Sequence, residues 1–289
     1  MHFIENEYMK VSVRNQGAEL CSLFDKKNNI EHLWQADPTY WAWHAPMLFP
    51  VVGRCLNDAL LIDGKPHRME KHGFARKAHF ELDSKLNNSL SFLLRSSEST
   101  LADYPYHFDL RVSYTLHGSQ LVQSFEVLNR GDESMYFQLG GHPAFAVPFL
   151  AGEAYEDYYI EFEADTMAER YCINEAGFFD GRKAEVLNGS NRLALDKNLF
   201  ADDALIFKTL KSRKVTIETS KNPHRLSVSF PSFNYLGLWA KVNAPYLCIE
   251  PWLGCADTVA MPVEISHKEG VITLGSGREF NADIIMSFE

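Results

Sequence analysis

Apolar and polar residues alternate along much of the chain, most clearly in FDLRVSYTL at residues 108–116. Its apolar face consists of Phe108, Leu110, Val112, Tyr114 and Leu116. A repeat of two is the signature of a half-buried β-strand, since successive side chains of a strand point to opposite faces. The turn HGSQ then leads into LVQSFEVLN, and the turn RGDE leads into SMYFQLG. We therefore expect these three segments to form an antiparallel meander.

The same alternation recurs elsewhere in the chain. HFELDSKLNNSLSFLLRS predicts a hairpin that turns at Asn87 and Asn88, and KVTIETSKNPHRLSVSF predicts another at Asn222 and Pro223. The closing segment EFNADIIMSF again places apolar residues at every second position from Phe280. Strands are thus predicted along the whole sequence.

Helical patterns are scarce. DPTYWAW predicts one short helix, with Asp37 as its cap and Pro38 in its first turn, and residues 199–204 predict a single further turn. No linker, charge block or repeat divides the sequence. We therefore predict an all-β fold, a large antiparallel β-sandwich, in a single domain that spans residues 1–289.

Composition and charge indicate which binding partners and which cellular location to expect for this protein. The chain of 289 residues has a net charge of -10, which argues against nucleic acid and anionic membranes as partners. Its five cysteines include no C-x-x-C pair, so we expect no disulfide framework. The first residues lack the basic and apolar regions of a signal peptide, and no apolar run is long enough to span a membrane. These features predict a cytoplasmic protein.

The strand pattern is broken by glycine, proline and aromatic residues in four places, and each contains ionisable side chains. In QLGGHPAFAVP, His142 lies between two glycines that permit a tight turn and Pro143, which fixes the backbone. His142 is therefore a candidate acid or base. A loop histidine whose ring bonds to backbone carbonyls is the alternative interpretation.

Glu250 lies in the strongly apolar segment YLCIEPW. Burial of an unpaired carboxylate is costly, so Glu250 is either on an exposed face or held by donors in a site. The neighbouring Trp252 favours a site, because an aromatic ring beside a carboxylate is typical of sugar pockets.

Three basic residues occur in the other breaks. Arg54 follows Gly53 at a strand end and could bind substrate hydroxyls, or it could be an exposed arginine. His72, in EKHGFAR, could bind a hydroxyl or cap a turn, and Arg76 could bind an anionic group or form a salt bridge. No metal-binding, nucleotide-binding or hydrolase motif is present, so we expect neither a metal nor a cofactor.

Taken together, five segments resemble the aldose 1-epimerase (galactose mutarotase-like) superfamily, in particular its LacX-like branch. They are FPVVGR, KHGFAR, GGHPAF, DDALIF and CIEPW, in the order of that family. The resemblance covers nearly the whole chain and implies a large antiparallel β-sandwich and a sugar as substrate. It implies that His142 is the general acid and Glu250 the general base, while Arg54, His72 and Asp203 bind the sugar. Asp203 is chosen over Asp202 by alignment.

The resemblance also implies a mechanism. A mutarotase opens a pyranose by removing a proton from the C1 hydroxyl and protonating the ring oxygen, which requires a base and an acid together. We expect the carboxylate of Glu250 to raise the pKa of His142, so that the acid is charged near neutral pH.

The substrate and the type of activity have alternatives. Hexose-6-phosphate mutarotases hold the phosphate with two arginines, of which this sequence supplies Arg76, whereas AWHA occupies the place of the other. A neutral aldose is therefore favoured over a hexose phosphate. A non-catalytic carbohydrate-binding β-sandwich would need no acid and base, and glycoside hydrolysis would use Glu250 with Asp203 or Asp257.

Overall fold

The strands and helices of the computed structural model, which describes residues 1–289, account for 47% and 6% of the chain. In chain order the strands are β1 (His2–Glu5), β2 (Met9–Val13), β3 (Leu20–Asp25), β4 (Ile30–Glu31), β5 (Met47–Leu48), β6 (Ala59–Ile62), β7 (Lys65–Arg68), β8 (Glu81–Lys85), β9 (Ser89–Arg95), β10 (Phe108–His117), β11 (Gln120–Asn129), β12 (Met135–Phe137), β13 (Leu139–Gly141), β14 (Ala144–Ala146), β15 (Tyr158–Phe162), β16 (Met167–Ile173), β17 (Phe179–Asn188), β18 (Arg192–Ala194), β19 (Leu205–Phe207), β20 (Lys214–Thr219), β21 (Leu226–Ser229), β22 (Tyr235–Trp239), β23 (Tyr246–Leu253), β24 (Ile272–Leu274) and β25 (Glu279–Phe288). One α-helix, α1, covers Glu98–Asp103, and four 3-10 helices cover Leu56–Asp58, Ala75–Lys77, Tyr155–Asp157 and Ile265–His267.

The segments with the clearest alternation form the long central strands. β10 and β11 pair in register, with Val112 opposite Phe125, and the apolar side chains of both strands face the core. The predicted hairpins are present as β8 with β9 and β20 with β21, and β25 closes the chain as predicted. Local alternation is therefore a reliable guide to these elements.

Two large sheets pack face to face. The nine-stranded sheet has the order β18-β15-β20-β21-β25-β11-β10-β9-β8, and the eight-stranded sheet has the order β17-β16-β19-β22-β23-β13-β5, with β14 paired to β23. Their paired strands are antiparallel, and aromatic side chains such as Phe162 of β15 and Phe207 of β19 meet between the sheets, at 5.7 Å between ring centroids. The predicted antiparallel β-sandwich is confirmed.

Three smaller sheets complete the structure. They have the orders β1-β2-β3-β4, β12-β24 and β6-β7. The prediction of a three-stranded meander is wrong in its last strand, because β11 pairs with β25 on its second edge and β12 pairs with β24. The competing partner lies at the other end of the chain, where short-range alternation gives no indication of it.

The helix predictions are also wrong. Residues 37–43 form turns, in which the backbone N–H groups of Tyr40 and Trp41 both donate to the carbonyl of Asp37, and residues 199–204 are likewise turn and loop. The α-helix that does form, α1, begins at a capping box in which the Ser97 side chain accepts from the N–H of Thr100.

Neither α1 nor any 3-10 helix has the length and apolar composition that a membrane crossing requires. All five cysteines are free thiols, as expected from their spacing.

Candidate active site

His142 and Glu250 meet at the centre of the eight-stranded sheet. His142 directly follows β13, and Glu250 lies on β23, the neighbouring strand, where Gly140 pairs with Trp252. His142 Nε2 lies 3.1 Å from Glu250 Oε2, and the two side chains are only 10% and 2% exposed. The sheet therefore brings the two predicted catalytic residues into direct contact.

Trp252 is held beside this pair because two of its neighbours have no side chain. A Cβ atom at Gly140 would lie 2.7 Å from Cδ1 of the indole, and one at Gly237 would lie 2.8 Å from Cη2. Distances this short between heavy atoms are not tolerated, so the bulk of the indole requires glycine on both adjacent strands. The two glycines thus fix the wall next to Glu250.

His72 approaches His142 from a loop. Its backbone has a φ of 68°, and its imidazole meets that of His142 edge to face at 5.7 Å between centroids. The backbone N–H of Gly53 donates to His72 Nδ1 over 3.1 Å. Since Nδ1 accepts this hydrogen bond, the proton of the neutral ring is on Nε2, which is therefore a donor. Burial, together with the charge of Lys71, lowers the pKa of His72 well below its ordinary value.

The pKa values of the central pair move in opposite directions. Burial, reinforced by the charge of Lys71, lowers the pKa of His142 to about 3. Burial also raises the pKa of Glu250 well above its usual range, and the positive charge of Lys71 only partly opposes this. The expectation that His142 is charged near neutral pH is wrong for the free site, because removal from water disfavours the charged form of each group.

These shifts leave one proton on the pair near neutral pH. The directions of the two pKa shifts favour the state in which Glu250 carries this proton and His142 is neutral. An ion pair of imidazolium and carboxylate contains the same number of protons and differs only in the position of this one. The pair therefore has the proton count that acid–base catalysis needs, with the proton on the other partner.

The pair lies on a cavity of about 890 Å³. Six of the seven residues predicted for the site line it: His72, Arg76, His142, Asp203, Glu250 and Trp252. A volume of this size is typical of small-molecule sites.

Arg54 is the predicted residue that the structure does not bring into the cavity. Its guanidinium forms an ion pair with Asp58, at 2.9 Å from Nε to Oδ1, and also donates to the carbonyl of Ala176. Gly53, its neighbour, is the residue that lines the cavity. The exposed arginine and its local partner correspond to the alternative interpretation of this position.

Asp203 and Asp202 differ in their surroundings. The charge of Asp203 contributes to the raised pKa of Glu250, so its carboxylate acts on the central pair. Asp202 also lines the cavity, but it is largely exposed and pairs with Arg170 at 3.3 Å. The structure thus favours Asp203 as the residue that faces the site.

Both carboxylate oxygens of Asp257, the residue considered as the partner of Glu250 in hydrolysis, have partners within the protein. It is buried in an ion pair with Lys268, and its second oxygen accepts the backbone N–H of Leu56 over 2.9 Å. It does not line the cavity. Asp257 therefore stabilises the fold and does not reach a substrate in the cavity.

Many residues of the cavity wall were not predicted from the sequence, and among them are Trp41, Lys71, Trp239 and Lys241. Trp41 stacks on His142, with 4.8 Å between ring centroids and an angle of 28°. Lys71 is exposed, and its place beside His72 in EKHGFAR was the available signal. The two tryptophans carry no sequence signal that distinguishes them from core aromatics.

One group of side chains has the spacing that a metal ion would need. His142, Cys248 and Glu250 each offer one ligand atom, and these atoms lie within 4.8 Å of one another. Two of them are the atoms of the acid–base pair, so metal binding and proton transfer would compete for the same atoms. Burial raises the pKa of the Cys248 thiol well above its ordinary value, which keeps that group protonated.

The chain is similar to known proteins over its whole length. A family model described as aldose 1-epimerase matches residues 2–287. The plasmid form of protein LacX from Lactococcus lactis subsp. lactis is 37% identical over 294 residues, which cover 94% of this chain and 98% of that protein.

Two solved structures share the fold. A galactose mutarotase related enzyme from Lactobacillus acidophilus is 36% identical with a TM-score of 0.94, covering 100% of this chain and 97% of that one. A galactose mutarotase-like protein from Lactobacillus casei ATCC 334 is 30% identical with a TM-score of 0.94, and the match covers 100% of both chains. The resemblance seen in five sequence motifs is thereby confirmed.

Proposed function

The chain belongs to the aldose 1-epimerase family, a family of isomerases, and from this premise we propose that it interconverts the α and β anomers of a free aldose. The observation that carries the proposal is the buried contact of 3.1 Å between His142 Nε2 and Glu250 Oε2 on the wall of the cavity. Ring opening requires a base within reach of the C1 hydroxyl and an acid within reach of the ring oxygen, and two adjacent groups on one cavity wall meet this requirement.

In the proposed reaction, the carboxylate of Glu250 removes the proton from the C1 hydroxyl while His142 Nε2 donates a proton to the ring oxygen. The bond between C1 and the ring oxygen breaks, and C1 becomes an aldehyde. Rotation about the bond between C1 and C2 presents the other face, and the reverse proton transfers close the ring. Each positioned group typically contributes about a hundred- to ten-thousand-fold.

The resting proton distribution fits one stage of this cycle. After ring opening, Glu250 carries a proton and His142 is neutral, which is the distribution that the opposite pKa shifts favour in the free site. A closed sugar must therefore induce transfer of the proton from Glu250 to His142 across their contact. Lys71 acts on both partners in this step, because its positive charge stabilises the carboxylate of Glu250 and disfavours the imidazolium of His142.

The remaining residues bind the sugar in this proposal. The Nε2–H of His72 donates to a hydroxyl, and the carboxylate of Asp203 accepts from one or two others. The indole of Trp252 offers an apolar surface beside Glu250 for the C–H groups of the ring. Arg76 lines the same cavity, whereas Arg54 is not assigned a contact with the sugar.

A hexose phosphate is a second candidate substrate, favoured by one observation. Lys71, Arg76 and Lys241 line the cavity, and their cationic groups form no ion pair with a carboxylate. In a protein with a net charge of -10, three such cations on one cavity wall favour an anionic group on the substrate. Lys71 and Lys241 would then supply the positive charge for which the sequence offers no second arginine.

Anomer exchange measured by NMR saturation transfer on glucose, galactose and glucose 6-phosphate tests the proposal. We expect acceleration of at least one sugar, and a preference for the phosphate if the three cations act on the substrate. Saturable sugar binding without acceleration would instead support a non-catalytic carbohydrate-binding protein. Cleavage of a chromogenic glycoside would support hydrolysis.

We also propose that residues 1–289 act as a single domain. One hydrophobic cluster of 71 buried residues includes side chains from β1 to β25, and the cavity lining extends from Trp41 to Ala256. Calorimetry should therefore show one unfolding transition with equal calorimetric and van't Hoff enthalpies. Two resolved transitions would contradict this.

A cytoplasmic location is proposed because all five cysteines are free thiols, four of them buried without a disulfide partner. Cell fractionation tests this, and recovery of the protein outside the cytoplasm would contradict it.

A further inference from the structure

His142 lacks the hydrogen bond that usually orients a functional histidine. Its Nδ1 atom is buried and has no hydrogen-bond partner. In most acid–base and metal sites, the second ring nitrogen bonds to a carboxylate or carbonyl, which fixes the ring plane. The orientation of this imidazole must come from another source.

Three aromatic rings surround His142 instead. Trp41 stacks on its face at 4.8 Å and 28°, while Trp239 and His72 meet it at steep angles of 83° and 86°, with centroids at 6.1 and 5.7 Å. A stacked ring restricts rotation of the imidazole plane, and the two steeply inclined rings limit its sideways movement. Trp41 is therefore the group that sets the plane in which Nε2 points at Glu250.

The charges around His142 give the indole a second role. Burial lowers the pKa of His142, and the charges of Lys71 and Arg76 lower it further, so the protonated imidazole is disfavoured by its surroundings. Glu250 is the one acidic group in contact with it, and it gives up its proton when His142 gains one. The face of an indole attracts a cation, which supports the imidazolium at that moment.

We propose that Trp41 is a positioning residue, which holds the His142 imidazole in line with Glu250 and stabilises its protonated form during ring opening. This inference rests on the proposed function and adds a residue that acts through His142. Trp41 thus takes the place of the missing hydrogen bond at Nδ1.

The loop that carries Trp41 is built to hold this position. Trp34 Nε1–H donates to the carbonyl of Trp41 over 2.9 Å, and the N–H of Trp41 donates to the carbonyl of Asp37 over 2.9 Å. The buried carboxylate of Glu19 accepts the backbone N–H groups of His44 and Ala45 over 2.7 and 3.0 Å. The loop is therefore tied to the sandwich on both sides of the indole.

Trp41→Leu, Trp41→Phe and the control Tyr40→Leu test the proposal in steady-state anomer exchange. Tyr40 lies in the same loop and packs against Trp34 at 6.0 Å. We expect Trp41→Leu to lower kcat about tenfold while KM stays within about twofold. Trp41→Phe should recover most of kcat because it retains a ring face, and Tyr40→Leu should resemble the wild type. A rise in KM at unchanged kcat, or equal loss in both Trp41 variants, would overturn the proposal.

NMR of the sugar-free protein separates this inference from the proposed function. The ring current of a stacked indole shifts the imidazole protons of His142, so their resonances should move in Trp41→Leu and stay in Tyr40→Leu. Unmoved resonances would overturn the inference even if the enzyme is active. If the wild type accelerates no sugar, the proposed function fails and the role of Trp41 in catalysis fails with it.

Discussion

Glu250 and Asp257 are two buried carboxylates at the end of one chain segment, and they differ in what surrounds them. Asp257 is paired with Lys268 and accepts the N–H of Leu56. Glu250 meets one neutral imidazole on a cavity wall, and burial raises its pKa well above the usual range. The charge of Asp257 is therefore compensated by a cation, whereas Glu250 has no cation in contact with it.

The contrast separates a carboxylate that stabilises the fold from one that can exchange a proton with a substrate. A buried carboxylate that pairs with a cation and a backbone donor serves stability, because loss of either member would leave a buried charge without a partner. A carboxylate left with one exchangeable partner can gain and lose a proton during a reaction. The same part of the molecule contains the buried Nδ1 of His142, which has no hydrogen-bond partner.

The largest effect is expected from Glu250→Gln. The amide has nearly the shape of the acid but cannot take the C1 proton, so kcat should fall about a hundred- to ten-thousand-fold. Polarimetry measures this, and the unfolding midpoint in urea serves as control because the amide removes no charge partner. Retention of most activity would show that Glu250 and Asp257 do not differ in the proposed way.

Asp257→Asn should lower stability and leave activity unchanged, the opposite of what is expected for Glu250→Gln. It leaves the charge of Lys268 buried and unpaired, which we expect to cost about 3–5 kcal/mol of unfolding free energy, while kcat of the folded protein is unchanged. Urea denaturation measures the loss. Asp58→Asn, which breaks the exposed pair with Arg54, is the control and should cost about 0–1 kcal/mol. A loss of activity without a loss of stability would show that Asp257 takes part in catalysis.

Arg76 and Arg54 extend the comparison to the basic residues, with smaller effects. Arg76 has no ion-pair partner in the cavity, so Arg76→Ala should raise KM for glucose 6-phosphate about tenfold if this sugar is a substrate. Arg54 is already paired with Asp58, so Arg54→Ala should change KM by no more than about twofold. Equal effects of both substitutions on KM would contradict the placement of Arg54 outside the cavity.

Much of the fold could be predicted from the sequence because a strand with one buried face must alternate. β10, β11 and β25 are long and follow this rule, and their positions were predicted closely. The partner of β12 could not be predicted, since pairing with β24 depends on chain segments far apart in sequence. The sequence of residues 37–43 resembles the start of a helix because Asp and Pro are common both in turns and at the first positions of helices.

The site could be predicted in part, since residues that break the strand pattern are those that the sheet brings to the cavity. His142 and Glu250 were found in this way, and the structure places them in contact. Arg54 was misplaced because sequence does not reveal that Asp58 captures its guanidinium. The pKa direction of His142 was wrong because burial, which depends on the whole fold, outweighs the effect of one neighbour.

The pH dependence of kcat/KM for anomer exchange tests the acid–base pair most directly. Activity requires one proton on the pair, and a second proton binds only as pH falls through the lowered His142 pKa of about 3. The last proton leaves only as pH rises through the raised pKa of Glu250. We therefore expect a wild-type rate that depends on Glu250 and does not fall as pH is lowered from neutral to about 5. A midpoint near the ordinary histidine pKa of about 6.5 would contradict the account, as would a rate no faster than the uncatalysed exchange.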